Sequence, residues 1–279
     1  MATWERKALT FISQTNEWDR RGDIRSFLSF SVALLRELTG AYMSLQLDFE
    51  DNYTARVKDA SPFYLDDLIF NPGPIQLLME GGGHRPVYWT GIPEKNAFED
   101  LFQALSSAVL LPVRQGGINV LIILGWSETR HCEPVFREFI EVVRIRIEEV
   151  CRQTQVEQAA EAAITRYLSV LNTLPEALVF IGAEGHSGWM NIPAAGLLQL
   201  PQGGELAPAT VSGAMAALIQ RAQNRDEIMG MAMQLFASPD SSLEAMIWIL
   251  PDGNFEVSCM PAMGKGKLWR FRKLPVELE

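Results

Sequence analysis

Residues 133–174 run for some forty positions without a glycine, and their one proline, Pro134, falls in what would be a first helical turn. Proline fits there because the N–H it lacks has no partner in a helix start. Phe136, Ile140, Val143, Ile147 and Val150 recur at alternating spacings of four and three. The repeat falters at Thr154-Gln155 and resumes one step displaced at Val156, Ala160, Ala163, Tyr167, Val170 and Leu174. Such a pattern predicts one continuous helix ending at Leu174-Pro175. It has two readings: the seam of a coiled coil, or a helix packed twice against its own domains. Either way it divides the 279 residues into two parts of domain size.

Ahead of the helix, residues 24–38 carry Ile24, Phe27, Leu28, Ser31, Leu34, Leu35 and Leu38 on one helical stripe, stopped at Gly40. Residues 41–49 alternate like a strand, with Met43, Leu45, Leu47 and Phe49 opposite Tyr42, Ser44, Gln46 and Asp48, and residues 53–57 read as its return. Residues 58–106 are less regular, with breakers at "NPGP" and "EGGGHRP" around a short helix "IQLLME", a strand "PVYWT" and a helix "AFEDLFQAL". "SAVLLPV" and "INVLIILGW" then read as a hairpin about Gly116-Gly117. Residues 1–20 read as a charged, Trp-containing extension with one short helix in it.

Behind the helix come two short strands flanking Gly182-Ala183-Glu184-Gly185 and a helix opened by Asn191-Ile192-Pro193. A Met-rich helical stretch follows over 210–237, then three strands turning at Asp252-Gly253 and Gly264-Lys265-Gly266. The middle strand puts Phe255, Val257 and Cys259 on one face. The fold class expected is α+β: two domains, each an antiparallel sheet flanked by helices, joined by a long helix.

The stretch "LNTLPEALVFIGAEGHSGWMNIPAAGLLQL" together with "LPDGNFEVSCMPAM…GKLWRFRKL" resembles a PAS domain. "TLPEALVFI", the Asn-x-x-Ala-Ala helix start and the closing Trp-x-Phe-Arg are usual for that family. Gly182 departs from it, because an Asp is usual at that position and in many members ties the sheet to the flanking helix. "LLRELTGAYMSLQL" and "SAVLLPVRQGGINVLIILGW" followed by the long helix resemble a GAF domain. The resemblances imply an extension over 1–20, a GAF-like domain over 21–150, a connecting helix over 133–174 and a PAS-like domain over 175–279. Such domains stand in the sensory region of histidine kinases and cyclases, and the residues present stop where an output domain is expected to begin.

The net charge of −10 weighs against nucleic acid or an anionic membrane surface as a partner, because both call for a basic surface. No apolar run approaches the ~20 residues of a membrane helix, the first residues do not read as a signal peptide, and a cytoplasmic location is expected. Cys132, Cys151 and Cys259 have neither disulfide-framework nor metal-site spacing and read as three reduced thiols. His84, His131 and His186 make no metal pattern.

Against the resemblances, no cofactor is expected. Residues 1–131 lack a cysteine for bilin attachment, and residues 192–243 lack both a flavin-reactive cysteine and a haem-ligating histidine. A GAF-fold sulfoxide reductase would need redox cysteines in its pocket, whereas Cys132 and Cys151 lie at or on the long helix. The candidate pocket is apolar, formed by Trp189, Met231, Leu235, Trp248, Phe255 and Trp269, although such residues also simply build cores. The candidate signalling helix runs through Val143, Ile147, Val150, Thr154, Ala160 and Tyr167. The function implied is a non-enzymatic sensory module that binds a small molecule or partner and signals through a homodimeric helix to a kinase or response regulator. The alternatives are a stand-alone adaptor and a small redox enzyme.

Overall fold

The computed structural model describes residues 3–16, 18, 23–98, 101–115, 118–182, 187–237, 240–262 and 266–275. The chain divides into two units, Met1–Ala160 and Glu161–Glu279.

The first unit opens with α1 (Trp4–Asn16), whose Phe11 is fully buried in the same core as Phe27, Phe136 and Phe139. The N-terminal residues are therefore not an extension: their apolar side chains complete this core, and Trp4 packs edge-on against Phe136 at 4.8 Å. Helix α2 (Ile24–Thr39) buries the expected stripe and stops at Gly40, whose φ of 64° is the left-handed conformation glycine adopts freely. Its last carbonyls, left without helical partners, are met by two cations: Lys7 Nζ donates to Leu38 at 2.6 Å and Arg130 to Thr39 at 2.8 Å.

Strands β1 (Met43–Phe49), β2 (Ala55–Ser61) and β3 (Ile69–Phe70) precede α3 (Pro72–Gly81), and β4 (Val87–Trp89), β5 (Ser107–Gln115) and β6 (Ile118–Trp126) follow. They form one antiparallel sheet in the order β3-β2-β1-β6-β5-β4. Strands β5 and β6 are buried on both faces, which explains their unbroken apolar sequence. Val109, Leu111, Ile122 and Leu124 meet the helical core on one face, and Leu110, Leu121 and Ile123 meet Ile75, Phe98 and Phe102 on the other. Each such side chain contributes about 1.5–3 kcal/mol by leaving water. Gln115 pairs with Ile118 as the expected hairpin requires, and its two turn residues lie outside the described ones. The helix expected over "AFEDLFQAL" is replaced, among the described residues, by successive turns. Phe98, Leu101, Phe102 and Leu105 there all pack into the core on that face of the sheet, at the i, i+3, i+4, i+7 spacing that made the segment read as a helix.

Helix α4 (Pro134–Thr173) is the long helix the sequence predicts. Val143, Ile147, Val150 and Thr154 are buried within the first unit, so the first half of the apolar repeat is core and not an open coiled-coil seam. The step of two residues from Thr154 to Val156 turns the repeat by about 200°, at 100° per residue. Val156, Ala160, Ile164, Tyr167 and Val170 are exposed, as are most residues of α4 from 156 to 170.

In the second unit β7 (Ala177–Gly182) and β8 (Gly188–Met190) lead into α5 (Ile192–Leu197), β9 (Gly204–Leu206), α6 (Pro208–Arg221) and α7 (Arg225–Ala237), and β10 (Leu243–Leu250), β11 (Gly253–Ala262) and β12 (Gly266–Lys273) close the chain. The antiparallel order is β10-β11-β12-β7-β8-β9, with the last strand beside the first. The helices cover one face, where Val179, Met190, Val257, Cys259 and Phe271 meet Ala194, Met215, Leu218 and Leu235. The single helical stretch expected over 210–237 is broken at residues 222–224 with neither glycine nor proline. Asn224 explains the break: its Nδ2 donates to the Ile247 carbonyl at 2.8 Å and its Oδ1 accepts from Ile249 N at 3.1 Å. Gln223 N also donates to Ile249 O, so this corner covers the edge strand β10. Among the described residues no helix is long and apolar enough to cross a membrane.

Candidate functional site

Asn191, fully buried, caps α5 and uses all four hydrogen bonds of its side-chain amide. Its Oδ1 accepts from Ala194 N at 3.0 Å, the bond of a helix cap, and from Leu178 N of β7 at 2.8 Å. Its Nδ2 donates to Glu176 O at 2.8 Å and to Leu171 O, in the last turn of α4, at 3.0 Å. Asn172 adds a second tie, its Oδ1 accepting from Ile192 N at 3.0 Å. One side chain thus joins the end of the long helix, the first strand and the first short helix of the second unit.

Gly182 N donates to Ser187 O at 2.8 Å, and a Cβ at 182 would stand 2.3 Å from Ser187 Oγ and 3.1 Å from its carbonyl oxygen. The strand pair closes so tightly that position 182 has no room for a side chain unless Ser187 moves. The Asn-x-x-Ala-Ala motif pointed to Asn191 as a cap. Its bonds to Leu171 and Glu176 had no sequence signal, because they cross between elements.

An apolar cleft of about 230 Å³ lies on the helical face of the same sheet. Ile181 and Trp269 form its sheet wall, Met215 and Ile219 come from α6, and Met229 and Met233 from α7. Trp269 is 3% exposed and its Nε1–H has no hydrogen-bond partner. A buried donor left unmet costs about 1–3 kcal/mol. The flexible thioethers opposite can adjust to an occupant's shape.

Of the six residues expected to form a pocket, only Trp269 lines this cleft. Leu235, Trp248 and Phe255 are buried core, and Met231 packs against that core partly exposed. Trp248 stacks edge-on with Phe271 at 5.4 Å. Trp189 is excluded by the two-residue period of β8: Gly188 and Met190 are buried toward the helices, and Trp189, paired with Phe180, stands on the other face.

The three thiols are buried. Burial pushes Cys151 up to about 12 and Cys259 up to about 11, and raises Cys132 as well. Such thiols stay protonated and make poor nucleophiles. Among the described residues no group of three or more His, Cys, Asp or Glu is placed to hold a metal ion. His186 lies outside the described residues.

No family model matches the chain, and no curated protein matches it. Several solved structures are similar to it. A GAF domain from a phosphoenolpyruvate-protein phosphotransferase of Coxiella burnetii is 14% identical, covering 56% of this chain and 97% of its own, with a TM-score of 0.44. The phycoerythrobilin-bound GAF domain of a cyanobacterial phytochrome is 12% identical over 55% of this chain and 99% of its own, with a TM-score of 0.45. The free methionine-R-sulfoxide reductase of Neisseria meningitidis, solved with its substrate, is 13% identical over 54% of this chain and 90% of its own, with a TM-score of 0.41.

Proposed function

We propose that this chain is a sensory and relay module of a signal-transduction protein, GAF-like in its first unit and PAS-like in its second, that passes a binding event to a helix pair in a homodimer. The observation carrying this reading is the bond from Asn191 to Leu171, which fixes the end of α4 to the strand and helix that open the cleft-bearing unit. The strand order with first and last strands adjacent at the centre of each half supports the same reading.

The ligand this cleft suits is a small apolar molecule with one hydrogen-bond acceptor, which Trp269 Nε1–H would meet. Its occupation would press α6 and α7 outward from the sheet, and the strain would reach α4 through β7 and Asn191. The exposed apolar face from Val156 to Leu174 is where a second copy would lie along α4. A kinase domain or response regulator is the output this arrangement would serve. A redox enzyme is the weaker reading, since it needs a reactive thiol and all three are buried and protonated.

The test is a distance measurement between spin labels at position 168 of the two copies, with and without a saturating apolar ketone such as 2-nonanone. The reading expects a defined distance that shifts on binding in the native protein and stays fixed in Asn191→Ala. Binding of the ketone with no change in the distance would contradict the relay.

A further inference from the structure

The first unit holds a second, polar cleft of about 380 Å³ on the opposite face of its sheet from the Leu45 and Leu47 core. Its floor is Gln46 and Asp48 of β1, and its wall is the first turn of α2, with Asp23 and Arg25. Gln46 is 2% exposed, a polar side chain sunk into a strand whose alternate residues are core. Its Nε2 donates to Asp48 Oδ1, and its Oε1 is buried without any hydrogen-bond partner. The amide cannot be turned to cure this, because the Asp48 carboxylate accepts and does not donate. The orphan acceptor is therefore held in place by its neighbour.

The charges around it are divided. Lys58 is committed to Asp67 at 2.7 Å and Glu50 to Arg56 at 2.8 Å. Asp23, Arg25 and the second oxygen of Asp48 have no ion-pair partner among the described residues. Asp23 stands at the N-cap of α2 but its side chain caps nothing, so the first-turn N–H groups lack the acceptor a cap supplies. The cleft thus offers acceptors on its floor and, on its wall, the Arg25 cation and open first-turn N–H groups beside the carboxylate of Asp23.

We propose that this cleft binds a free α-amino acid. The ammonium donates to Gln46 Oε1 and Asp48, and the carboxylate faces Arg25 and the start of α2, where the helix dipole favours an anion. The size suits a molecule of that class. The site does not depend on the sensory reading of the second unit, and its failure would leave that reading untouched.

The experiment is calorimetric titration of the full chain with each of the twenty common L-amino acids singly. For the best binder, the decarboxylated amine and the N-acetyl derivative are titrated as well. Saturable binding by at least one amino acid is expected, weakened tenfold or more on removing either charge of the ligand. Gln46→Leu, which removes the orphan acceptor, is expected to weaken it at least tenfold. Arg25→Ala, at an exposed position, is expected to weaken it several-fold, and carries the test if Gln46→Leu does not fold. No saturable binding by any amino acid would show that the cleft holds only water. An amine that binds as well as its amino acid, or variants that bind unchanged, would overturn the assignment equally.

Discussion

The Asn191 amide donates to the Leu171 carbonyl at 3.0 Å, so a helix terminus that would otherwise leave its last carbonyls unmet is closed by a residue twenty positions away. The same side chain caps α5 and bonds β7. Its replacement therefore disturbs three elements together.

Asn191→Ala removes a helix cap and leaves Leu178 N–H and the Glu176 and Leu171 carbonyls without their partner. Destabilisation of about 3 kcal/mol is expected in urea unfolding, the cap alone being about 1 and each unmet buried group about 1–3, without simple addition. Asn191→Asp is expected to be at least as harmful. It keeps the capping oxygen but turns a second oxygen toward two carbonyls. Unfolding midpoints equal to the native protein's would show that the network carries no stability.

At Gly182 the obstacle is Ser187. Gly182→Ala places a Cβ 2.3 Å from a movable hydroxyl and 3.1 Å from a backbone oxygen. A loss of about 1–3 kcal/mol is expected, and Ser187→Ala in the same chain should recover part of it by removing the hydroxyl. A double variant no more stable than Gly182→Ala would place the strain at the backbone contact alone.

Alkaline stability follows from the thiols. Cys151 and Cys259 ionise at about 12 and about 11 in the folded protein against an ordinary 9.0, because burial penalises the thiolate. Their contribution is fully present below pH 9 and is lost as pH rises toward 11–12, since the unfolded chain releases those protons first. Urea midpoints should fall from pH 8.5 to 10.5. Alkylation by iodoacetamide at pH 8 should be slow in the native protein and fast in urea. Rapid native labelling of Cys151 or Cys259 would contradict their burial.

The fold was legible where period and punctuation agree. The forty-residue helix, the hairpin beside Gln115 and Ile118, and the alternation of Phe255, Val257 and Cys259 all follow local rules. The break before Arg225 was not legible, because Asn224 makes it by bonding a strand more than twenty residues away. Nor could spacing tell Val143 from Tyr167: the same repeat serves a helix facing its own core and one facing solvent, and only the tertiary fold buries the first and exposes the second. The side of Trp189 is not legible for a simpler reason, a three-residue strand being too short to show which face is inward. Gln46 has the pattern of an outward residue in an alternating strand, yet it is buried beside the start of α2, which no local rule shows.

Exposed apolar residues on α4 set a direct test of the dimer. Ile164, Tyr167 and Val170 are each more than half exposed. Sedimentation equilibrium at 10–200 μM should give a mass twice the chain's 31.2 kDa, and Tyr167→Lys with Val170→Glu should return it to the single-chain mass without loss of helix. A native protein that sediments at 31.2 kDa throughout that range would contradict the account.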